Sequence, residues 1–284
     1  MKAVLTIAGS DSSGGAGIQA DLKTIAAHRL FGESVVTALT AQNTTGVFGV
    51  LDVDPAFVGA QIDAVFDDIR PDAVKVGMVS SPAIVRAIAD GLRRHGAKNI
   101  VVDPVMVATS GSALIADAAV DALVAELFPL AAVVTPNIPE AEVLAGMAIA
   151  GTEDVERAAD LIAARCVAAS EDGPDFADAA PDAPAIMVKG GHGIGAEDTA
   201  DDFLRLGGGE AVWLRGPRIE TANTHGTGCS LSSAIACGLA QGFSVDVAVR
   251  EAKAYVAGAL GAGLDLGRGS GPLDHLWRYG KPPC

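Results

Sequence analysis

The chain has 284 residues, of which 50% are hydrophobic and 4% aromatic. This length suits one large α/β domain or two small ones. The formal net charge of −15 would repel the phosphate backbone of nucleic acids and anionic membrane surfaces. We therefore expect neither a nucleic-acid nor a membrane partner, although local hydrogen-bond donors can still bind a small anion.

Targeting and redox signals are absent from the sequence. No apolar run reaches about 18 residues, and Met1-Lys2 leads directly into a short strand-like segment without a cleavage pattern. The four cysteines show neither Cys-x-x-Cys spacing nor a nearby histidine at metal-ligand spacing. We expect reduced thiols in a cytoplasmic protein.

Short β-branched runs alternate with longer helical patterns, which is typical of strand–helix–strand units around a mostly parallel sheet. The predicted strands of this sheet are Val4–Ala8, Val35–Gln42, Ala73–Met78, Ile100–Asp103, Ala132–Thr135 and Ile186–Lys189. Apolar residues at helical spacing predict helices near 18–25, 58–69, 84–92, 120–127, 155–162 and 245–260. A hairpin is predicted from Phe203–Leu206 and Ala211–Leu214. The fold class is therefore α/β, with helices on both faces of the sheet.

One segment interrupts this alternation. Residues 168–184 are acidic, contain prolines and lack periodicity, so they predict a mobile surface loop. Because this loop lies between a predicted helix and a predicted strand, it is an insertion within a domain and not a linker. We therefore expect a single domain over residues 1–284.

Residues 222–236 place two glycines and a cysteine where a polar turn meets an apolar helical pattern. Gly226 and Gly228 allow the N–H groups of Gly226 to Cys229, including that of Thr227, to converge at the positive end of the helix. Such an anion hole suits phosphate. A Cys229 thiolate would be stabilised there and could take the proton of a reacting hydroxyl. The alternative is a loop that only starts a core helix, with Cys229 packed as a small apolar side chain.

A second glycine-rich segment, residues 9–23, follows the first predicted strand and opens a helix. Its glycines let a ligand approach the backbone, and Asp11, Ser12 or Ser13 can cap the helix. The spacing matches neither a Walker A loop nor Gly-x-Gly-x-x-Gly. From spacing alone, a capped tight turn is the favoured interpretation.

Several strand ends carry polar or soft side chains, and open α/β sheets bind ligands at the carboxyl ends of their strands. The Gln42 amide can pair with a ring nitrogen and an exocyclic amine of a heterocycle, or it can satisfy its own strand end. Met78 is either an apolar cover for such a ring or a core methionine. Residue type alone does not decide between the two interpretations of Gln42 or between those of Met78.

A further group of polar residues follows the later strands. Asp103, Asn137 and Glu140 could hold Mg²⁺ through water, because Mg²⁺ keeps much of its hydration shell. Asp103 could instead only cap its turn. Lys189 could neutralise a nucleotide phosphate or lie solvated at its strand end.

These segments together resemble the hydroxymethylpyrimidine/phosphomethylpyrimidine kinases, a branch of the ribokinase-like kinases. The resemblance extends from Gly9 to His275 and rests on His225-Gly-Thr-Gly-Cys229, on residues 9–23, and on Lys-Gly-Gly-His from Lys189. Most ribokinase relatives carry an aspartate where this chain has Cys229, which points to the vitamin-kinase branch. Ser12 stands where the family usually has proline.

The resemblance implies roles for these residues. The pyrimidine-binding residues would be Gly9, Asp21, Gln42, Met78 and Val105. The Asn-x-x-Glu motif at Asn137 and Glu140 would organise Mg²⁺ and the ATP phosphates, with Lys189 also on phosphate and Asp103 as a further metal candidate. The catalytic set would be Cys229 with the amides of Gly226, Thr227 and Gly228.

The activity implied is ATP-dependent phosphorylation of 4-amino-5-hydroxymethyl-2-methylpyrimidine and then of its monophosphate, in thiamine biosynthesis. ATP and Mg²⁺ are the implied co-substrate and cofactor, and we expect a homodimer. Two alternatives stay open. One is a pyridoxal kinase with the same fold, and the other is a pyrimidine-binding regulator that has lost catalysis.

Overall fold

The computed structural model describes residues 1–106, 117–171, 183–191 and 198–280. The strands in these ranges are β1 (Ala3–Asp11), β2 (Phe31–Asn43), β3 (Gly46–Asp52), β4 (Ala73–Val76), β5 (Ile100–Val102), β6 (Val133–Val134), β7 (Ala185–Val188), β8 (Asp202–Arg205) and β9 (Ala211–Leu214). The helices are α1 (Gly17–Ala27), α2 (Pro55–Asp68), α3 (Pro82–Arg94), α4 (Asp117–Ala122), α5 (Ile138–Ala145), α6 (Thr152–Glu171), α7 (Thr227–Ala240) and α8 (Val245–Ala262).

The strands form one sheet in the order β3-β2-β1-β4-β5-β6-β7-β8-β9. The six strands from β2 to β7 in this order are parallel to their neighbours, whereas β3, β8 and β9 are antiparallel. The predicted α/β class with a mostly parallel sheet is confirmed. The carboxyl ends of the parallel strands therefore meet at one edge, where the predicted site residues follow them.

The sheet is covered on both faces. One buried cluster combines Leu5 and Ile7 of β1 with apolar residues of α2, α3 and α6. The other combines Val4 of β1 with residues of α1, α7 and α8. Successive residues of a strand point to opposite faces, so a strand buried on both sides reads as a continuous apolar run. None of the helices described is long and apolar enough to cross a membrane.

The structure departs from the predicted elements in four places. Helix α5 (Ile138–Ala145) was not predicted from the sequence. The sequence pattern missed β3, whose apolar residues are largely exposed. The predicted helix near 120–127 becomes π-helical at Leu123–Leu127 and 3₁₀-helical at Phe128–Leu130. Helix α6 continues to Glu171, so the predicted loop 168–184 is wrong for its first four residues. Residues 172–182 of that segment lie outside the described residues.

Candidate active site

Helix α7 begins at the glycine-rich turn, and its start is fixed by close backbone packing. Gly226 precedes the helix with φ of 85°. A Cβ at Gly226 would lie 2.0 Å from the carbonyl oxygen of Gly15, so the two glycine-rich loops touch backbone to backbone. Thr227 already has a hydrogen-bond acceptor within the turn. Its N–H donates to the Thr224 carbonyl at 3.3 Å, and its hydroxyl donates to the same oxygen at 2.7 Å. The arrangement gives the helix start predicted for an anion site.

Gly228 brings this helix start next to charged side chains. A Cβ there would lie 3.4 Å from Asp103 Oδ2 and 3.5 Å from Lys189 Nζ. Lys189 Nζ is 2.7 Å from Asp103 Oδ1 and 3.9 Å from Glu140 Oε2. The structure thus brings Gly228, Lys189, Asp103 and Glu140 together.

The charged side chains in this group shift one another's pKa values. Burial would raise the pKa of Asp103, but Lys189 and Lys75 hold it below its usual range. Burial raises the pKa of Glu140 and Asp103 adds to this, while Lys189 opposes it. Burial would lower the pKa of Lys189, yet Asp103 and Glu140 raise it overall. Lys189 is therefore a fixed cation beside the start of α7.

Asn137 and Glu140 have a structural role at the start of α5. The Asn137 side chain accepts from the Glu140 N–H at 2.9 Å, and Glu140 Oε2 accepts from the Asn137 N–H at 2.8 Å, which makes a capping box for α5. Glu140 Oε1 also accepts from the Met106 N–H at 3.3 Å. The described residues contain no cluster of three acidic, histidine or cysteine side chains able to hold a metal. Asp103 and Glu140 still offer carboxylates of the kind that Mg²⁺ uses, since this ion binds through one or two carboxylates plus substrate phosphates and water.

Cys229 lies half-buried in the first turn of α7, where the Gly17 amide hydrogen-bonds its thiol. Burial raises the pKa of this thiol to about 11, with Asp21 and Asp103 acting in the same direction and Lys75 opposing them. The expectation of a stabilised thiolate is therefore wrong. The helix dipole does not outweigh burial beside two carboxylates.

The predicted pyrimidine residues fall into two groups. Gly9 and Met78 are in contact, because a Cβ at Gly9 would lie 3.2 Å from Met78 Sδ. Gln42 is half-buried, and its Nε2 lies 3.5 Å from His225 Nε2, next to the glycine-rich turn. Val105 is also half-buried, and its N–H donates to the Asp103 carbonyl at 2.8 Å.

Asp21 is placed differently from its predicted role. It is fully buried and accepts hydrogen bonds from Thr6 at 2.5 Å, Lys75 at 2.8 Å and Ser233 at 2.8 Å. Both carboxylate oxygens are engaged inside the protein, so in this structure Asp21 does not border a ligand pocket. A solitary lysine in the apolar strand β4 was the sequence signal for this buried ion pair.

Asp11 and His225 form a link that the sequence pattern did not predict. His225 Nε2 is 2.8 Å from Asp11 Oδ2, and both side chains are buried. Asp11 also accepts from the N–H groups of Ser13, Gly15 and Ala16. Burial would raise the pKa of Asp11, but these hydrogen bonds, with that of His225 first, lower it well below its usual range. The carboxylate therefore ties the loop after β1 to the turn before α7.

Comparison with known proteins identifies the family. The family model described as phosphomethylpyrimidine kinase matches residues 11–274. The hydroxymethylpyrimidine/phosphomethylpyrimidine kinase of Rhizobium meliloti (strain 1021) is 52% identical over 280 residues, 98% of each chain. The solved phosphomethylpyrimidine kinase of Clostridium difficile 630 has a TM-score of 0.74 and 42% identity, covering 90% of this chain and 98% of that one.

A second solved structure extends the comparison to another kinase. Pyridoxal kinase from Staphylococcus aureus, in complex with AMP-PCP and pyridoxal, has a TM-score of 0.84 and 32% identity, covering 99% of this chain and 95% of that one. The resemblance predicted from the sequence is confirmed. The chain belongs to the phosphomethylpyrimidine kinase family.

Proposed function

We propose that this chain transfers the γ-phosphate of ATP to the hydroxyl of 4-amino-5-hydroxymethyl-2-methylpyrimidine, and then phosphorylates the monophosphate to the pyrophosphate. The observation that carries the proposal is the convergence of Cys229, the start of α7 and Lys189 at one edge of the sheet. Family membership supports it, and so does the complex of the S. aureus relative with an ATP analogue.

Phosphoryl transfer is mainly a matter of positioning and electrostatics, and the residues near α7 suit both. The free amides in the first turn of α7 would donate to the oxygens of the transferring phosphoryl group. Lys189 would add a positive charge beside them. Mg²⁺, held near Asp103 and Glu140 largely through water, would neutralise charge on the ATP phosphates. No covalent adduct on Cys229 is required.

Cys229 would contact the acceptor oxygen. As that oxygen bonds to the γ-phosphorus and the bond to ADP breaks, its proton passes to the sulfur, which must first have lost its own proton to water. Because burial keeps the thiol protonated at neutral pH, the available thiolate depends on the cations facing it, which are Lys75 and Lys189. General-base assistance of this kind is worth ~10²–10⁴ in rate.

The pyrimidine ring would be recognised by residues other than those that contact the phosphate. Met78, packed on Gly9, offers an apolar surface for the aminopyrimidine. Gln42 Oε1 accepts from the Thr40 hydroxyl at 3.1 Å, which leaves its Nε2 group pointed at the space near His225. This amide could donate to a ring nitrogen. We assign Asp21 to the interior and no longer to the pyrimidine.

Pyridoxal kinase is the alternative activity, and one observation favours keeping it. The structure of S. aureus pyridoxal kinase superposes on this chain with a higher TM-score than the C. difficile phosphomethylpyrimidine kinase, 0.84 against 0.74. Higher sequence identity points the other way, at 42% against 32%. A non-catalytic regulator fits less well, since a pure binder needs neither Lys189 nor Cys229.

The homodimer and the cytoplasmic location expected from the sequence stay proposals. Strand β3 is an edge strand, and its Phe48, Val50 and Leu51 are 70%, 47% and 66% exposed. Exposed apolar edges of this kind are typical of interfaces. Sedimentation at the mass of one chain would contradict the dimer, and cell fractionation tests the location.

The decisive experiment supplies purified protein with ATP and Mg²⁺, and offers hydroxymethylpyrimidine, its monophosphate and pyridoxal in separate reactions. Products are resolved by mass. We expect both pyrimidine products from the unaltered chain and ~10²–10⁴ lower turnover from Cys229→Ala. Cys237→Ala is the matched control, because it removes a buried thiol from the same helix away from the site. Turnover of pyridoxal alone would overturn the proposal, and normal turnover by Cys229→Ala would remove Cys229 from the mechanism.

A further inference from the structure

A fully buried charged network lies behind the start of α7. Lys75 and Asp21 form an ion pair at 2.8 Å, and neither side chain has any solvent exposure. A Cβ at Gly77 would lie 2.5 Å from Lys75 Nζ, which places the ammonium group directly beneath the backbone that leads to the pocket residue Met78. The network also includes Thr6 and Ser233, which donate hydrogen bonds to Asp21 and have no exposed surface.

This network joins the two helices whose first turns meet at Cys229. Gly17, the first residue of α1, hydrogen-bonds the Cys229 thiol, and Asp21 lies one turn further along α1. On α7, Ser233 lies one turn after Cys229 and donates to Asp21. The two contacts therefore form successive rungs between the helices, with the positive end of each helix near the sulfur.

Ionic groups face Cys229 from four elements. They are Asp21 on α1, Lys75 on β4, Asp103 after β5 and Lys189 after β7. Each cation has a carboxylate partner, since Lys189 is 2.7 Å from Asp103 and Lys75 is 2.8 Å from Asp21. Burial alone would lower the pKa of Lys75, but Asp21 first, and then the Cys229 sulfur and Asp103, raise it above its usual range. Lys75 is thus a permanent buried cation whose charge extends to the sulfur.

A buried ion pair is costly to form, and replacement by apolar residues is often neutral or stabilising. Stability alone therefore does not account for a charged pair at this position. Resting on the kinase function proposed above, we infer that Lys75, anchored by Asp21, is a positioning residue whose charge acts on Cys229 from behind the site.

Alkylation of Cys229 by iodoacetamide, followed against pH by mass spectrometry of the peptide that contains it, tests the inference without using turnover. Only the thiolate reacts, so the rate below the thiol pKa reports the thiolate fraction. One pKa unit changes that fraction tenfold. Because the readout is not catalysis, it stands even if the proposed function fails.

Two variants should move the alkylation profile in opposite directions. Asp21→Asn removes an anion and leaves Lys75 facing the sulfur, so we expect the alkylation rate at pH 8 to rise about tenfold, one pKa unit. Lys75→Met combined with Asp21→Asn removes both charges without stranding either one. There we expect the rate to fall, because Lys75, which acts on the thiol more strongly than Asp21 does, is lost together with it.

Thr6→Val is the matched control, since it removes one hydrogen bond to Asp21 and leaves every charge in place. A merely structural role predicts that all three variants loosen the site and shift alkylation in the same direction. That result, or an unshifted profile in Asp21→Asn or in the folded double variant, overturns the inference. If the double variant fails to fold, the direction of the Asp21→Asn shift decides alone. Under the proposed function, kcat at neutral pH should follow the alkylation rate while the KM for the pyrimidine stays within several-fold.

Discussion

Replacement of Gly226 by alanine tests whether contact between the two glycine-rich loops positions the active site. Gly226 has φ of 85°, and a Cβ there would lie 2.0 Å from the Gly15 carbonyl oxygen. Gly146 is the matched control. It ends α5 in the same left-handed region with φ of 68°, but a Cβ there would meet no atom within 4 Å.

Both substitutions introduce backbone strain, and only Gly226→Ala also creates a steric clash. A left-handed non-glycine residue costs roughly 1–2 kcal/mol, and we expect both variants to lose about this much stability. Gly226→Ala must also move the two loops apart by about 1 Å, since Cβ–oxygen contacts under 3.0 Å are essentially never seen. A misplacement of about 1 Å at a catalytic centre costs ~10² in rate.

Urea denaturation and steady-state kinase assays separate these effects. We expect Gly146→Ala to lose stability with unchanged kcat/KM. For Gly226→Ala we expect a further loss of stability and kcat/KM about 100-fold lower. If the two variants lose equal stability and both keep normal turnover, the contact between the loops does not position the site.

Two further perturbations probe the pocket and the opposite end of β2. Gln42→Leu should weaken pyrimidine binding by roughly 1–3 kcal/mol, because it leaves buried heterocycle polarity unpaired, and calorimetry should find ATP affinity unchanged. Glu33, whose Oε2 has no partner among the described residues, has its pKa raised to about 7, first by burial and then by Asp68 and Asp72. The folded state therefore favours the protonated acid, so stability from this group is present below about pH 4.5 and is lost as pH rises to about 7. Glu33→Gln should be about 2 kcal/mol more stable than the unaltered chain at pH 8 and equal to it below pH 4, and a constant difference across pH would contradict this.

Strand positions were predictable where apolar runs are buried on both faces. The first predicted strand, Val4–Ala8, lies within β1, and the predicted hairpin at Phe203–Leu206 and Ala211–Leu214 is confirmed as antiparallel β8 and β9. Strand β3 was missed because its apolar residues face outward at an edge and do not alternate. Hydrophobic periodicity reports burial, and this strand is exposed within the single chain.

The site was predictable as far as residue type and strand ends allow. Lys189, Asp103 and Glu140 meet because parallel strands bring their carboxyl ends to one edge. The depth of a side chain is not readable from such spacing. Asp21 lies one turn into α1 and points inward to Lys75, which no local pattern distinguishes from a carboxylate at a pocket rim.

The protonation state of Cys229 was unpredictable for a related reason. The position at a helix start lowers a thiol pKa, but burial and two nearby carboxylates raise it, and their balance depends on distances across four elements. The sequence indicates the helix start but not the positions of the carboxylates, because Asp21 and Asp103 approach the sulfur only after the sheet has formed. The error was therefore one of sign in the local electrostatics and not one of location.

Under the proposed function, Lys75 and Lys189 explain how a chain with net charge −15 can bind phosphate. Neither cation is without a partner, since Lys75 is paired with Asp21 and Lys189 with Asp103. Lys75 has no exposure and cannot reach a ligand, whereas Lys189 remains 15% exposed beside the start of α7. Lys189 can therefore exchange part of its contact with Asp103 for a phosphate oxygen, while the buried pair keeps its charge fixed behind the thiol. A division of this kind lets one cation bind the anion and the other tune the acid–base group, even though the surface as a whole repels anions.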